Sequence, residues 1–367
     1  MSNTITVNYD KKPCYDICLT TDFNELSDKI IGLGFENRRI MIITDSNVKE
    51  LYADSVKEAI QNVSDTIIVY SIPAGEENKN LSEIDKIYEV LIENRFDRHD
   101  LIIALGGGVV GDMAGFTAAT FLRGIAFIQV PTTLLAQTDS SIGGKTGVDF
   151  KGYKNMVGAF YMPKLVYMNI SVLNSLSGRQ YASGFAEVMK HALIKDANFY
   201  SWLIENMYEI DEKDPEVLLE MITRSCEIKK AVVEKDPTEK GDRVLLNFGH
   251  TLGHAIEKAK NFELFHGECV ALGAVAAAFI SWKKEFISME EYYEIRDMFV
   301  PFNLPISIED LDADEVIKLA KSDKKSDLNK VKFILLKGIG KAFVTYDVTD
   351  DDMKNALNEI IYIEDNE

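Results

Sequence analysis

The sequence predicts an α/β N-terminal domain built on a parallel sheet, followed by a mainly α-helical C-terminal domain. Three observations carry this. Short apolar runs alternate with helical stretches through the first half. The runs are almost continuously apolar, as strands covered on both faces are. After about residue 180 long helical patterns take over. At 367 residues the chain has room for two domains. The boundary is placed at 170–180, giving domains 1–175 and 176–367.

The elements follow in order. Arg39–Thr44, Thr66–Ile72, Leu101–Leu105 and Ile125–Val130 read as buried strands. Helical patterns lie between them, at Val48–Gln61, Leu81–Asn94 and Val109–Leu122. The second half reads as helices at 178–195, 215–235, 242–259, 267–286, 289–299 and 349–361, with late strands at Val331–Leu336 and Ala342–Tyr346.

Composition narrows the function. Hydrophobic residues make up 46% and charged residues 27%, an ordinary globular balance. The net charge of −19 argues against nucleic acid or an anionic membrane as the main partner, since both need a basic footprint. The N-terminal stretch lacks the apolar core of a signal peptide. The longest mainly apolar run, Cys269–Ile280, is too short to span a bilayer. Four cysteines form neither a dense disulfide framework nor a CxxC pair, so a reduced cytoplasmic enzyme is expected.

Gly106, Gly108 and Gly111 form G-x-G-x-x-G between a strand and a helix. Such a turn lets backbone approach a pyrophosphate at the positive end of a helix, so the N-terminal domain is expected to be Rossmann-like. The motif follows the third strand, whereas the plain fingerprint follows the first and has an acid about 20 residues later. Here an acid precedes it. Asp45, after the strand Arg39–Thr44, could accept the hydroxyls of an adenosine ribose, or simply cap the helix that begins near Val48. Gly75-Glu76-Glu77-Asn78-Lys79 and Thr132-Thr133 close two further strands, so every strand here ends in a polar loop.

Gly143-Gly144-Lys145-Thr146 looks like the end of a P-loop, but the full motif needs glycine at Asp139, which excludes a Walker nucleotidase. Lys145, Lys154, Lys190, Lys229, Arg123 and Arg243 stand near glycine-rich or histidine-rich segments. In so acidic a chain they suggest a locally positive cup for an anion.

Three of the five histidines, His250, His254 and His266, fall within 17 residues. His250 and His254 are four apart and share a helix face. Glu187, an acid in an apolar helix, is a candidate partner, because such a carboxylate needs compensation. The ligands of a catalytic divalent ion could be all three histidines, or Glu187 with two of them, and spacing does not choose. Glu187 and His191 could also pair.

Together these segments resemble the 3-dehydroquinate synthase family of sugar phosphate cyclases. The matching stretches are GGGVVGDMAGFTAATFLRGI, VPTTLLAQTDSSIGGKTGVD, KNMVGAFYMP, GFAEVMKHALI, LLNFGHTLGHAIE and HGECVALG. The resemblance implies an NAD-dependent carbon–oxygen lyase of the shikimate pathway, a cytoplasmic homodimer. It would convert 3-deoxy-D-arabino-heptulosonate 7-phosphate to 3-dehydroquinate and phosphate by transient oxidation, elimination, reduction and aldol closure.

By the same likeness, Asp45 and Asn47 hold the adenosine ribose. Ala74, Gly75, Glu76, Glu77, Asn78 and Lys79, then Gly107, Gly108, Val109, Val110, Gly111 and Asp112, then Thr132 and Thr133 hold the rest of the dinucleotide. Lys145, Lys154, Val172, Leu173, Asn174 and Ser175 border it. The metal ligands implied are Glu187, His250 and His266, with Zn2+ usual and Co2+ able to substitute. Lys154, Lys190, His254, Asp139 and Arg123 take catalytic places, Arg123 reaching the substrate phosphate from the neighbouring subunit. Lys145, Asn155, Lys229, Arg243, Asn247 and a lysine of the Lys324-Lys325 pair meet the substrate. The chain departs from the family at Ser175 and Ser177, usually threonine and proline. The rival readings are another sugar phosphate cyclase, a metal-dependent polyol dehydrogenase, and an NAD-binding sensor. The polyol dehydrogenases have serine and lysine where this chain has Val109 and Gly115.

Overall fold

The computed structural model describes residues 3–322 and 331–362. The chain divides into two compact units, Met1–Leu176 with Lys229–Thr238, and Ser177–Ile228 with Glu239–Glu367.

The first unit is organised by a seven-stranded sheet. Its strands are β1 (Asn3–Tyr9), β2 (Lys12–Thr20), β3 (Ile40–Asp45), β4 (Ile67–Ile72), β5 (Leu101–Gly106), β6 (Ala126–Pro131) and β9 (Leu165–Asn169), with β7 (Lys145–Phe150) and β8 (Tyr153–Phe160) forming a separate hairpin. The sheet order is β1-β2-β9-β6-β5-β3-β4. Within this sheet, among the described residues, only the β1–β2 pair is antiparallel.

Alternation along each strand splits its apolar side chains between two cores. Met41, Ile43, Ile102 and Ala104 face one cluster, which includes Ile84, Ile87 and Leu91 of helix Leu81–Glu93 and Val110, Met113 and Ala114 of helix Gly108–Thr120. Ile40, Ile42, Leu101 and Ile103 face the other, with Leu26, Ile30 and Val56. A strand buried on both faces must be apolar throughout, and this is why β3, β5 and β6 are visible as plain runs. The β1–β2 hairpin, β7, β8 and β9 were not among the expected strands. In β1 only Ile5 and Val7 are buried, and β8 alternates with a mostly exposed face.

β4 lies on one side of β3 and β5 on the other, so the direction of winding reverses between β3 and β5. The crevice outside the C-terminal ends of two such strands is where α/β sheets bind ligands. Asp45 ends β3 and Gly106 ends β5, and the pairing Thr44↔Leu105 brings those ends side by side. The glycine turn follows the third strand of the predicted series because that strand stands at the reversal.

In the second unit, the helices include Gly178–Lys195, Ala197–Glu205, His250–Ala259, His266–Lys283, Met289–Asp297, Ala313–Ser322 and Asp350–Ile360, with a short antiparallel pair β10 (Phe333–Leu336) and β11 (Ala342–Thr345). The continuous helix expected over 242–259 is corrected. A 3₁₀ turn, Asp242–Asn247, is separated from helix His250–Ala259 by Gly249 at φ +78°. No helix among the described residues is long and apolar enough to cross a membrane.

Gly115 shows what the glycine motif does beyond its turn. A Cβ there would lie 2.4 Å from Thr146 Cγ2 and 3.2 Å from the Phe127 ring. The helix therefore sits directly on β6 and β7, and the lysine that the dehydrogenase pattern requires here has no room. Gly115→Ala is expected to destabilise by about 1–3 kcal/mol through overpacking, lowering the denaturant midpoint without changing the m-value.

Candidate active site

The second unit holds its polar centre by bringing three helices unusually close. A Cβ on Gly267 would fall 2.0 Å from the Ser183 carbonyl oxygen, so helix His266–Lys283 touches backbone of helix Gly178–Lys195. A Cβ on Gly273 would meet the Gly249 carbonyl oxygen at 1.9 Å, and one on Gly253 the Cys269 carbonyl oxygen at 2.7 Å. The motifs GHTLGH and HGECVALG are thus packing motifs as well as histidine carriers. Their glycines put His250, His254 and His266 and the Glu187 helix within side-chain reach.

Ligand atoms of Glu187, His250 and His266 lie within 4.8 Å of one another. Glu187 is buried, and its Oε1 is 3.4 Å from His250 Nε2 and 3.2 Å from His266 Nε2. Its Oε2 lies against the buried Lys190 ammonium, yet makes no hydrogen bond of ordinary geometry. Burial works to raise the Glu187 carboxyl, but Lys190 and the two imidazoles outweigh it and hold the group well below the usual carboxylate range. The His250 imidazole is pushed down by burial and by Lys190, against the pull of Glu187, which favours its neutral form.

The tautomer of His250 follows from its neighbour. Nδ1 is 3.0 Å from the Phe248 carbonyl oxygen, which can only accept, so Nδ1 carries the hydrogen. In the neutral ring Nε2 then presents a lone pair toward a carboxylate oxygen. That arrangement is repulsive unless a cation lies between, and a carbonyl-anchored imidazole is the usual form of a metal-ligating histidine. The donor set suits a catalytic divalent site of three protein ligands with positions left for substrate. The structure also groups His254, Glu257 and His266 within 4.8 Å, a second candidate set that shares His266 with the first. Glu257 was not among the expected site residues. Its signal was a buried acid three residues after His254.

A cleft lined by Asn247, His250, Thr251, His254, Ala255, Lys258, Leu319 and Ala320 opens beside the histidines. Asn247 Nδ2 donates to Glu239 Oε1 at 3.0 Å, and Arg243 is buried in the same 3₁₀ turn. Lys324 and Lys325 lie outside the described residues.

In the first unit, Asp45 caps the helical turn after β3, accepting from Asn47 N at 2.9 Å and Val48 N at 3.1 Å. Ala74 N donates to Ser46 Oγ at 3.1 Å, which joins the loops after β3 and β4. Asn78 Nδ2 donates to the Ala74 carbonyl, and Gly75 takes φ +119° between Ala74 and Glu76-Glu77. Gly107 lies under Thr133, Gly108 under Ser140, and a Cβ on Gly111 would be 2.7 Å from Gln129 Oε1, so helix Gly108–Thr120 starts flush against the sheet with Val109 and Val110 in its first turn. Thr132 Oγ1 is buried without a hydrogen bond. Val172, Leu173, Asn174 and Ser175 form a 3₁₀ turn in which Tyr52 donates to Ser175 Oγ at 2.7 Å, a contact the serine makes in place of the expected threonine.

Lys79 ties several of these residues together. It is 4% exposed, and its ammonium donates to Asp112 Oδ2 at 2.7 Å and Asn155 Oδ1 at 2.6 Å, with Glu76 at 3.8 Å. Burial would discharge it, but Asp112 and Glu76 keep it charged. Asp149, another unanticipated member, accepts from Asn155 N and donates its own N–H to the Lys79 carbonyl. Lys229 pairs with Asp139 Oδ1 at 2.7 Å. Lys145 and Lys154 lie on β7 and β8, and Arg123 is exposed in a turn where it and Leu122 both take positive φ.

A reversing parallel sheet with a glycine turn, followed by a helical unit, is the fold of the sugar phosphate cyclases. A crystal structure of 2-deoxy-scyllo-inosose synthase complexed with carbaglucose-6-phosphate, NAD+ and Co2+ shares the fold with a TM-score of 0.86, 26% identity, and coverage of 97% of this chain and 100% of that one. The 2-epi-5-epi-valiolone synthase of Streptomyces hygroscopicus with NAD+ and Zn2+ bound has a TM-score of 0.87 at 24% identity, covering 97% and 99%. Models of the 3-dehydroquinate synthase N-terminal and C-terminal regions match residues 69–183 and 184–326. The 3-dehydroquinate synthase of Ruminiclostridium cellulolyticum is 43% identical over 92% of this chain and 94% of its own length. That of Acetivibrio thermocellus is 44% identical over the same shares. The chain belongs to the 3-dehydroquinate synthase family.

Two substitutions probe this geometry. Gly267→Ala is expected to lower stability by about 1–3 kcal/mol and to weaken Zn2+ binding, because His266 moves with its helix. Both are read by thermal melts with and without Zn2+. Lys79→Met leaves Asp112 without its counter-charge and is expected to cost about 3–5 kcal/mol in urea unfolding.

Proposed function

We propose that this chain acts as a 3-dehydroquinate synthase, a carbon–oxygen lyase that releases phosphate from 3-deoxy-D-arabino-heptulosonate 7-phosphate while NAD is consumed and regenerated. The observation that carries the reading is the buried Glu187 beneath His250 Nε2 and His266 Nε2, in a chain of this family. Another sugar phosphate cyclase remains the second reading, since inosose and valiolone synthases share the fold, but the more similar relatives are 3-dehydroquinate synthases.

When bound, NAD supplies a hydride acceptor that makes the C–H beside the phosphate-bearing carbon acidic and then returns the hydride, and a divalent ion held by Glu187, His250 and His266 supplies Lewis acidity at substrate hydroxyls. The residues do the rest. Asp45, Asn47, the loop 74–79, the turn 107–112 and Thr132-Thr133 hold the dinucleotide, the helix N-terminus at Gly108 offering free N–H groups to its phosphates. Lys190 Nζ, kept beside Glu187 as an ammonium, donates a hydrogen bond to the substrate alcohol oxygen and stabilises the charge that builds there as the alcohol proton leaves. His254 relays a proton from the opposite side of the cluster, 5.1 Å from the His250 ring. Lys154 and Arg123 clamp the substrate phosphate, Arg123 from the second subunit of a homodimer. Asp139, Lys145, Asn155, Lys229, Arg243, Asn247 and one of Lys324 and Lys325 orient the carboxylate and hydroxyls. The enzyme is placed in the cytoplasm. The pairing of subunits and the location rest on the likeness of the motifs.

The test is phosphate release from the heptulosonate phosphate with NAD at one hundredth of the substrate. Many phosphates per NAD are expected, with activity lost to a chelator and restored by Zn2+ or Co2+. NADH accumulating in step with turnover, or no phosphate at all, would sink the reading. Lys190→Ala is expected to slow release by about 10²–10⁴-fold. An unchanged rate would remove Lys190 from its role.

A further inference from the structure

We propose that Arg179 and Glu268 are positioning residues for His266, fixing where its imidazole stands relative to Glu187 and so setting the affinity and geometry of the divalent-ion site. The inference rests on the metal ligands proposed above and adds two residues outside that ligand set.

His266 is the first residue of its helix. Side chains in a first helical turn are held less firmly than those further in, because the first four N–H groups have no partner within the helix. A ligand placed there needs an outside restraint, and both chain neighbours of His266 have one. On one side, Phe265 N donates to Glu268 Oε2 at 2.7 Å, and the Arg179 guanidinium lies 4.3 Å from the centre of the Phe265 ring. On the other side, Gly267 N donates to Ser183 Oγ at 2.9 Å. Glu268 is held in turn by a two-pronged bond from Arg179, Nε to Oε1 at 2.6 Å and a terminal nitrogen to Oε2 at 2.7 Å. A third donation, to the Glu263 carbonyl at 3.3 Å, reaches the loop that leads to the histidine.

Arg179 and Ser183 belong to helix Gly178–Lys195, the same helix that carries Glu187. The clamp therefore references His266 to the helix of its fellow ligand. The planar fork fixes direction as well as distance, and a lysine could not reproduce it. Outer contacts that orient metal ligands are worth about 10-fold to 100-fold in metal affinity.

The experiment measures Zn2+ affinity of the full chain by competition with a chromophoric chelator, without substrate or NAD, and the visible spectrum of the Co2+-loaded protein. His266→Ala is the reference. Arg179→Lys and Glu268→Gln are each expected to weaken Zn2+ binding by about 10-fold to 100-fold and to alter the Co2+ bands. The double variant should be no weaker than the worse single one. Lys354→Gln, which breaks an ion pair to Asp314 elsewhere in this unit, should leave affinity and spectrum unchanged. If His266→Ala binds Zn2+ as tightly as the unaltered protein, the proposed ligand set fails. If His266→Ala loses affinity while folded Arg179→Lys and Glu268→Gln keep both affinity and spectrum, the clamp alone is overturned. A near-ultraviolet dichroism spectrum shows which variants are folded. If neither clamp variant folds, Arg179→Gln, which alters the exposed end of the pair, carries the same comparison.

Discussion

A steric constraint underlies the metal-binding half of this protein: three helices approach so closely that side chains are excluded at Gly249, Gly253, Gly267 and Gly273. Direct backbone contact leaves little freedom to slide or rotate, so the residues on these helices stand at fixed separations. The consequence is a carboxylate that would be untenable elsewhere. Glu187 is buried deep in an apolar helix, where Lys190 on its own helix compensates it and two imidazoles that the glycines deliver face it.

The balance of charge within this cluster is what makes it chemical. An ionised Glu187, a neutral His250 with its hydrogen on Nδ1, and an ammonium at Lys190 together offer an anionic oxygen and a free lone pair to a cation, with a proton-carrying group alongside. The first unit uses a parallel device. Lys79 is buried and kept charged by Asp112 and Glu76, and it joins the loop after β4, the helix after β5 and the β7–β8 hairpin through one ammonium. In the first unit one buried lysine thus links residues drawn from distant parts of the sequence.

Burial on both faces made part of this legible in the sequence, though not all of it, since the fully buried β9 was missed. β3, β5 and β6 announce themselves because both faces are covered, whereas β1 and β8 expose one face and carry polar residues that mask the period. The helix read through 242–259 is broken at Gly249, which takes a positive φ and packs so closely that a Cβ would lie 2.8 Å from the Val270 carbonyl oxygen of the neighbouring helix. The same contact explains why spacing left the ligand set open. Positions four apart say that His250 and His254 share a face, but which of them meets Glu187 depends on the angle between helices. Glu257, Asp149 and the Arg179–Glu268 pair went unnoticed because each acts through a partner far away in sequence. Asp45 carried two readings, and the cap is present in the structure.

The central claim is that a carboxylate and two imidazoles, not three imidazoles, bind the ion. X-ray absorption at the zinc edge of the Zn2+-loaded protein tests it most directly. Two nitrogen scatterers at about 2.0–2.1 Å with at least one oxygen at about 2.0–2.2 Å are predicted, the imidazole pattern falling to one ring in His250→Ala and unchanged in His254→Ala. A fit requiring three imidazole rings, with one lost in His254→Ala, would contradict the account.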